Sequence, residues 1–95
     1  MNTDNFEGAT GGWQIVMIYD QSTPPDFTLG VLRDFLMLEG KEADDVVKEL
    51  KRGGRAVCGL YPRTTADFIV EQVGSYSRKH GHRLHCEVAV PKKGR

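Results

Sequence analysis

Six short apolar segments, separated by prolines and glycines, limit the folds open to this chain. Three of them are rich in β-branched and aromatic residues and predict strands at 13–19, 55–61 and 83–90. The other three repeat apolar residues every three or four positions and predict helices at 23–38, 41–52 and 64–80. This order predicts a small two-layer α/β domain of the α+β type, with three helices packed on three strands.

The helix boundaries carry recognisable capping signals. Thr23 precedes two prolines and is followed by Asp26, which predicts an N-cap and a capping box. Thr64 and Asp67 repeat that spacing before the third helix. Gly81 is predicted to end the third helix in the left-handed conformation. The inward-facing helix residues are predicted to be Phe27, Val31, Leu32, Phe35, Leu36, Ala43, Val46, Val47, Leu50, Ala66, Ile69, Val70, Val73 and Tyr76.

The length of 95 residues fits one domain. Residues 13–90 are predicted to form it, with a flexible glycine-rich tail at 1–12 and a disordered basic tail at 91–95. No apolar stretch approaches the roughly 20 residues that cross a membrane, and the first residues do not resemble a secretion signal. Cys58 and Cys86 lie in strand-like segments and are predicted to be buried, reduced thiols. We therefore expect a cytoplasmic monomer.

The charge is divided between the two halves of the chain, although it sums to zero. Residues 1–50 hold ten acidic and three basic residues, and residues 51–95 hold the reverse. The basic half makes nucleic-acid binding an alternative, and the residues that would carry it are Lys51, Arg52, Arg55, Arg78, Lys79 and the final KKGR. No aromatic residues are interleaved with the Lys51 cluster, so this alternative is weakly supported.

Motifs for metal binding or catalysis are missing from the sequence. His80, His82, His85 and Cys86 are close in sequence, but His85 and Cys86 would point to opposite faces of a strand. No CxxC, HExxH, GxSxG or GxGxxG motif occurs. We therefore expect no metal, no cofactor and no enzymatic activity.

Four segments resemble, in order, the ClpS adaptor family of the Clp proteases. They are WQIVMIYDQSTP at 13–24, FTLGVL at 27–32, GRAVCGLY at 54–61 and KHGHRLHC at 79–86, and the resemblance extends to about residue 88. It implies three antiparallel strands under three helices. It also implies a non-enzymatic adaptor that binds the first residue of a substrate protein, its N-degron, and delivers it to a ClpA- or ClpC-type AAA+ unfoldase.

The resemblance also assigns candidate site residues. The positions that hold the α-amino group in the family are occupied here by Tyr19, Asp20, Gln21 and Lys51. The positions that line the side-chain pocket are occupied by Thr23, Pro25, Thr28, Val47, Leu50 and Leu84. The positions that dock on the amino-terminal domain of the unfoldase are occupied by Thr64, Phe68 and Ile69.

Several of these positions depart from the family pattern. Tyr19 offers a hydroxyl where an amide is usual, and Lys51 places a cation where a histidine is usual. Two positive charges at 4 Å repel by about 1 kcal/mol in water and about 4 kcal/mol at an intermediate dielectric, which weakens capture of an amine. Pro25 and Val47 replace flexible methionines, which predicts easier entry of β-branched or larger first residues.

The docking segment has changed as well. Thr64 and Ile69 replace charged residues, so an ion-paired contact with the unfoldase is not expected there. We expect Ile69 to join the core, whereas Phe68 is open to either a core or a surface role.

The leading hypothesis is an N-degron adaptor with altered first-residue specificity. The second is an interaction module of the same fold that has lost recognition of a free amine and either binds modified or acidic amino termini or regulates the unfoldase. The third is the basic-faced nucleic-acid binder.

Overall fold

The computed structural model describes residues 12–90, and the predicted tails fall outside that range except for Gly12. The elements are β1 (Trp13–Ile18), α1 (Pro25–Leu36), α2 (Lys41–Gly53), β2 (Arg55–Tyr61), α3 (Arg63–Lys79) and β3 (His85–Ala89). The predicted order of strands and helices is therefore confirmed. Strands β1 and β3 are shorter than predicted, whereas β2 has the predicted bounds.

The sheet has the order β2-β1-β3, and both neighbours run antiparallel to the central β1. A bulge interrupts the pairing of β1 with β2, where Ile15 lies opposite Gly59 and Val16 lies opposite Val57, leaving Cys58 as the extra residue. A side chain at Gly59 would meet the Tyr61 ring at 3.0 Å. The glycine therefore lets the Tyr61 ring lie across the bulge.

The core lies between one face of the sheet and the helices. Ile15 and Met17 of β1 are fully buried there, beside Ala56 of β2 and Cys86 of β3. The helices contribute Val31, Leu32, Leu36, Ala43, Val46, Leu50, Ala66 and Val73. Of the remaining predicted core residues, Phe27, Phe35, Val47, Ile69, Val70 and Tyr76 are only partly buried. The helical spacing thus located the buried stripes, and side chains at the edges of each stripe reach solvent.

The predicted N-cap of α1 at Thr23 is wrong. The helix begins at Pro25, and Pro24 is its N-cap with an extended backbone (φ −65°, ψ 144°) and no side-chain cap. Proline has its φ fixed near the helical value and lacks an N–H to satisfy, so two successive prolines start the helix without a hydroxyl cap. Asp26 lies in the first turn, where its charge is favourable to the helix dipole, but it does not complete a capping box.

The predicted N-cap of α3 at Thr64 is wrong for the same reason. Pro62 is the N-cap, also without a side-chain hydrogen bond, and Arg63 is the first helical residue. The Arg63 Nε atom lies 3.1 Å from the Asp67 Oδ2 atom, four residues along the helix. Asp67 therefore forms an ion pair with Arg63 instead of completing a capping box with Thr64.

The ends of α1 and α3 also differ. Helix α1 stops at Leu36, two residues early, because Met37 adopts the left-handed conformation (φ 59°) and its N–H and that of Leu38 both donate to the Leu32 carbonyl. Helix α3 ends at Lys79, and Gly81 is left-handed (φ 77°), as predicted.

Candidate functional site

The candidate site lies where the end of β1, the start of α1, the end of α2 and the loop before β3 meet. The Tyr19 N–H donates to the Gly54 carbonyl at 2.9 Å, and this bond ties the residues after β1 to the turn that follows α2. Lys51 belongs to the last turn of α2, three residues before Gly54. The predicted amine-binding positions thus lie on two segments that are connected by a backbone hydrogen bond.

Asp20 is held in a tight turn. Its backbone carbonyl accepts the Thr23 N–H at 2.9 Å, and its Oδ2 atom accepts both the Ser22 N–H at 3.1 Å and the Ser22 hydroxyl. The hydrogen bond from the Ser22 hydroxyl lowers the pKa of Asp20, and the positive charge of Arg83 contributes in the same direction. Asp20 is therefore an anchored carboxylate that is ionised at neutral pH, as the binding of a cation requires.

Two predicted pocket residues carry buried hydroxyls without a partner. Thr23 and Thr28 are each 1% exposed, and neither Oγ1 atom has a hydrogen-bond partner within residues 12–90. A buried polar group left unpaired costs about 1–3 kcal/mol, so this is an uncommon arrangement. Leu50 of α2 and Leu84 before β3 are equally buried and supply the apolar part of the predicted lining.

The remaining predicted site residues lie nearer the surface. Val47 is half-buried, whereas Pro25, Gln21 and Lys51 are exposed. Within the described residues Lys51 forms no ion pair, so its charge is not neutralised by a neighbouring carboxylate. The predicted pocket therefore has a buried base of threonine and leucine and an exposed, charged rim.

A cluster of aromatic rings supports the site from the side of α3. The Phe27 ring stacks on Tyr76 at 5.5 Å with an angle of 10°, and it contacts the His82 ring at 4.3 Å. His80 lies 4.3 Å from Tyr76, and the His82 N–H donates to the Ser77 carbonyl at 2.8 Å. These contacts fix the loop before β3 against α1.

Two residues that act on the site were not identified from the sequence. Ser22 anchors Asp20, and the spacing of the two residues is the ordinary signal of an Asx turn, which could have revealed it. Arg83 brings a positive charge near Asp20 from the loop before β3, and nothing local in the sequence indicates that approach.

Comparison with known proteins identifies the family. The model of the family described as "ATP-dependent Clp protease adaptor protein ClpS" matches residues 10–87. The chain belongs to the ClpS family. The relative from Hydrogenovibrio crunogenus, named ATP-dependent Clp protease adapter protein ClpS, is 37% identical over 78 residues, which are 82% of this chain and 75% of that protein. Its namesake in Xylella fastidiosa strain M12 is 39% identical over 74 residues, 78% and 70% of the two chains.

A solved structure supports the fold of this ClpS-family chain. The structure of Agrobacterium tumefaciens ClpS2 bound to L-phenylalaninamide superposes with a TM-score of 0.80 at 18% sequence identity. The match covers 87% of this chain and 99% of that one. The predicted antiparallel sheet under three helices is therefore confirmed both by the element order and by a solved relative.

The three predicted docking residues on α3 differ in their exposure to solvent. Thr64 is exposed and Phe68 is 64% exposed, whereas Ile69 is half-buried and packs against the core. The expectation that Ile69 joins the core agrees with this packing. Phe68 is a surface residue, which the sequence left open.

The two cysteines are free and buried, as predicted. Burial raises the pKa of Cys58 to about 11 and raises that of Cys86 further. Both thiols are therefore protonated at neutral pH. No cluster of three or more histidine, cysteine or acidic residues that could hold a metal occurs in residues 12–90, and no helix in that part of the chain could cross a membrane.

Two grooves lie away from the predicted pocket. A groove of about 530 Å³ is formed by α2 and the outer face of the sheet, including Asp45, Glu49 and Val57. A second groove of about 600 Å³ runs between α3 and β3. Neither groove includes any of the predicted pocket residues.

Proposed function

We propose that this chain is a non-enzymatic adaptor that binds the amino-terminal residue of a substrate protein and presents that protein to a Clp unfoldase. The observation that carries the proposal is the pairing of an anchored carboxylate, Asp20, with two buried hydroxyls that lack partners, Thr23 and Thr28. Membership of a family of protease adaptors supports the second half of the proposal.

The amine is bound by charge. An α-ammonium group is a compact cation with three donors. Asp20 is a carboxylate whose rotamer is held by Ser22, and the same hydrogen bonds lower its pKa. Because the turn is already formed, little side-chain entropy is lost when the ligand binds. Phenylalaninamide, the ligand in the ClpS2 structure, carries such an amine and a large apolar side chain.

The first side chain is bound by the base of the pocket. Leu50 and Leu84 offer apolar contact, and Val47 borders them. The hydroxyls of Thr23 and Thr28 gain partners if polar groups of the ligand or an accompanying water reach them, which recovers free energy that the unbound protein has lost. Pro25 replaces a flexible side chain at the rim, so a β-branched first residue enters with less steric cost.

A second candidate function is favoured by one observation, the unpaired charge of Lys51. An exposed cation at the rim repels an ammonium but attracts a carboxylate or phosphate. Under this alternative the chain is an interaction module of the ClpS fold that binds modified or acidic amino termini.

Docking on the unfoldase is assigned to the exposed face of α3. Phe68 presents a large apolar surface. It lies one helical turn from Thr64, which replaces a charged anchor of the family pattern. We expect the amino-terminal domain of a ClpA- or ClpC-type unfoldase to bind there through apolar contact. Titration of that domain by calorimetry should show weaker binding of Phe68→Ala. The control Met37→Ala changes an exposed residue just after α1 and should bind like the parent chain.

The test of the main proposal is fluorescence anisotropy with peptides that differ only in the first residue. Each peptide is prepared with a free and an acetylated amino terminus. The proposal requires saturable binding that depends on both a bulky first residue and the free amine. Binding that prefers the acetylated or acidic set would support the second candidate instead.

Matched variants distinguish a loss of binding caused by a lost charge from one caused by unfolding. Asp20→Asn keeps the shape of the side chain and removes its charge, so binding should fall by more than about tenfold, as expected for the loss of a charge-assisted hydrogen bond. Asp44→Asn makes the same change on the exposed face of α2 and should have no effect. Lys51→His removes most of the cation at neutral pH and should strengthen binding of free-amine peptides. Equal binding by the parent chain and Asp20→Asn would refute the proposed amine site.

A further inference from the structure

Three exposed basic side chains lie around the end of β1, where Asp20 is held. Lys51 and Arg52 belong to the last turn of α2, which a backbone hydrogen bond ties to the residue before Asp20. Arg83 lies in the loop before β3, and its positive charge acts on Asp20. All three are exposed to solvent, and we refer to them together as the rim cations.

The sheet register places both basic segments at this end of β1. Ile18, the last residue of β1, lies opposite Arg55, the first residue of β2, and opposite His85, the first residue of β3. Neighbouring strands are about 4.8 Å apart, so the turn after α2 and the loop before β3 flank the segment that carries Asp20. Arg55 itself lines the groove that contains Glu49, and it is not counted among the rim cations.

The rim cations are not neutralised by the protein. None of them forms an ion pair in the described part of the chain. The three segments that meet here contain one acidic residue, Asp20, within residues 18–22, 50–55 and 80–85. The next acid along the chain is Asp26, in the first turn of α1. An α-ammonium group bound at Asp20 adds a further positive charge, so positive charge is then in excess.

We propose that the site selects amino termini in which acidic residues follow the first residue, and that the rim cations bind the carboxylates at the second and third positions. This inference rests on the proposed function, because the amine of the first residue must be held at Asp20. The same charges select against amino termini that continue with lysine or arginine.

The dimensions of an extended peptide determine which positions are affected. Such a peptide advances about 3.3 Å per residue, and its successive side chains point to opposite sides. The second and third side chains therefore start within about 7 Å of the amine and project toward opposite flanks of β1. A charge at the sixth position lies about 17 Å away, beyond the screening length of about 8 Å at physiological ionic strength.

A peptide of this kind satisfies charges of both signs at the site. An ammonium group alone suits Asp20 but is repelled by Lys51 and Arg83. A blocked, acidic amino terminus alone suits the two cations but is repelled by Asp20. A free amine that is followed by carboxylates complements all of these charges, because it carries the two signs in the required order.

The test is fluorescence anisotropy with two peptides of identical composition. Both begin with phenylalanine and a free amine. In the first, two glutamates follow directly and two lysines stand at the far end, whereas in the second these positions are exchanged. At low salt the first peptide should bind about fivefold more tightly or better, as expected for two exposed ion pairs. The preference should shrink in 0.5 M salt, which shortens the screening length to about 4 Å.

Variants of the rim cations test whether they cause the preference. Lys51→Gln and Arg83→Gln should each reduce it about two- to fivefold, and the double variant should abolish it. Lys51→Gln should also bind the near-lysine peptide more tightly than the parent chain does and the near-glutamate peptide less tightly. A loss of fold would weaken both. The control Arg78→Gln removes an exposed cation that lines the groove between α3 and β3, and the preference should remain.

The outcomes distinguish this inference from the proposed function. Equal binding of the two free-amine peptides by the parent chain, or tighter binding of the near-lysine peptide, would overturn the inference and leave the amine site standing. Failure of both peptides to bind would overturn the proposed function and the inference together. An acetylated near-glutamate peptide that binds as tightly as its free form would also overturn both, because the amine would then not be held at Asp20.

Discussion

Replacing Thr28 by valine should stabilise the unbound protein. The Thr28 hydroxyl is buried at 1% exposure and has no partner within residues 12–90. Valine has nearly the same shape, is equally β-branched and removes the hydroxyl altogether. Because an unpaired buried polar group costs about 1–3 kcal/mol, we expect the free energy of unfolding to rise by about 1–2 kcal/mol.

The assay is equilibrium unfolding in urea, followed by the fluorescence of Trp13. This residue is the only tryptophan in the chain, and its ring lies 4.4 Å from the guanidinium carbon of Arg63, a contact that unfolding removes. For a domain of this size, each kcal/mol shifts the melting temperature by about 4–8 °C. The Thr28→Val variant should therefore melt at least about 4 °C above the parent chain.

The matched control is Thr65→Val, at an exposed position of α3. Its hydroxyl is solvated, so the change should stay within about 0.5 kcal/mol. A loss of stability in Thr28→Val, with Thr65→Val unchanged, would refute the reasoning, because it would mean that the Thr28 hydroxyl is hydrogen-bonded in solution. Equal effects of both substitutions would show that helix propensity, and not burial, decides the result.

Three further predictions concern the turn, the helix end and the thiols. Ser22→Ala should raise the pKa of Asp20 toward its ordinary value, as measured by a carboxyl NMR titration. In the parent chain the lowered pKa stabilises the folded state at neutral pH. This stabilisation is lost as the pH falls through the folded-state pKa of Asp20. Met37→Gly should stabilise the protein by about 1 kcal/mol in urea unfolding, since Met37 is left-handed and exposed and glycine adopts that conformation without strain. Cys58 and Cys86 should resist a thiol reagent at pH 8 in the native state and react in guanidinium chloride. Because burial raises the pKa of Cys58 from 9.0 to about 11, stability should decline as the pH rises from about 9 to about 11, where only the unfolded state loses its proton.

The elements of the fold could be predicted because they depend on local patterns. Strand β2 has the predicted bounds, since a glycine pair precedes it and Pro62 follows it. The starts of α1 and α3 were predicted less well, because a threonine close to a proline resembles an N-cap while the proline itself satisfies the geometry. The bulge at Cys58 was missed, because it depends on the pairing of β2 with β1 and leaves no period in the sequence.

The candidate site also combines features that depend on local sequence with features that depend on long-range contacts. The orientation of Asp20 is held by Ser22, two residues away, so a local pattern could predict a fixed carboxylate after β1. The approach of Arg83 depends on how the loop before β3 packs against α1 through Phe27, and no short-range signal encodes that contact. The resemblance to the family identifies which residues occupy the site positions, but it does not show which side chains surround them. Whether Lys51 weakens amine binding therefore depends on the neighbours that fold around it, and the absence of an ion pair to Lys51 in residues 12–90 makes the repulsion of an ammonium the expected outcome.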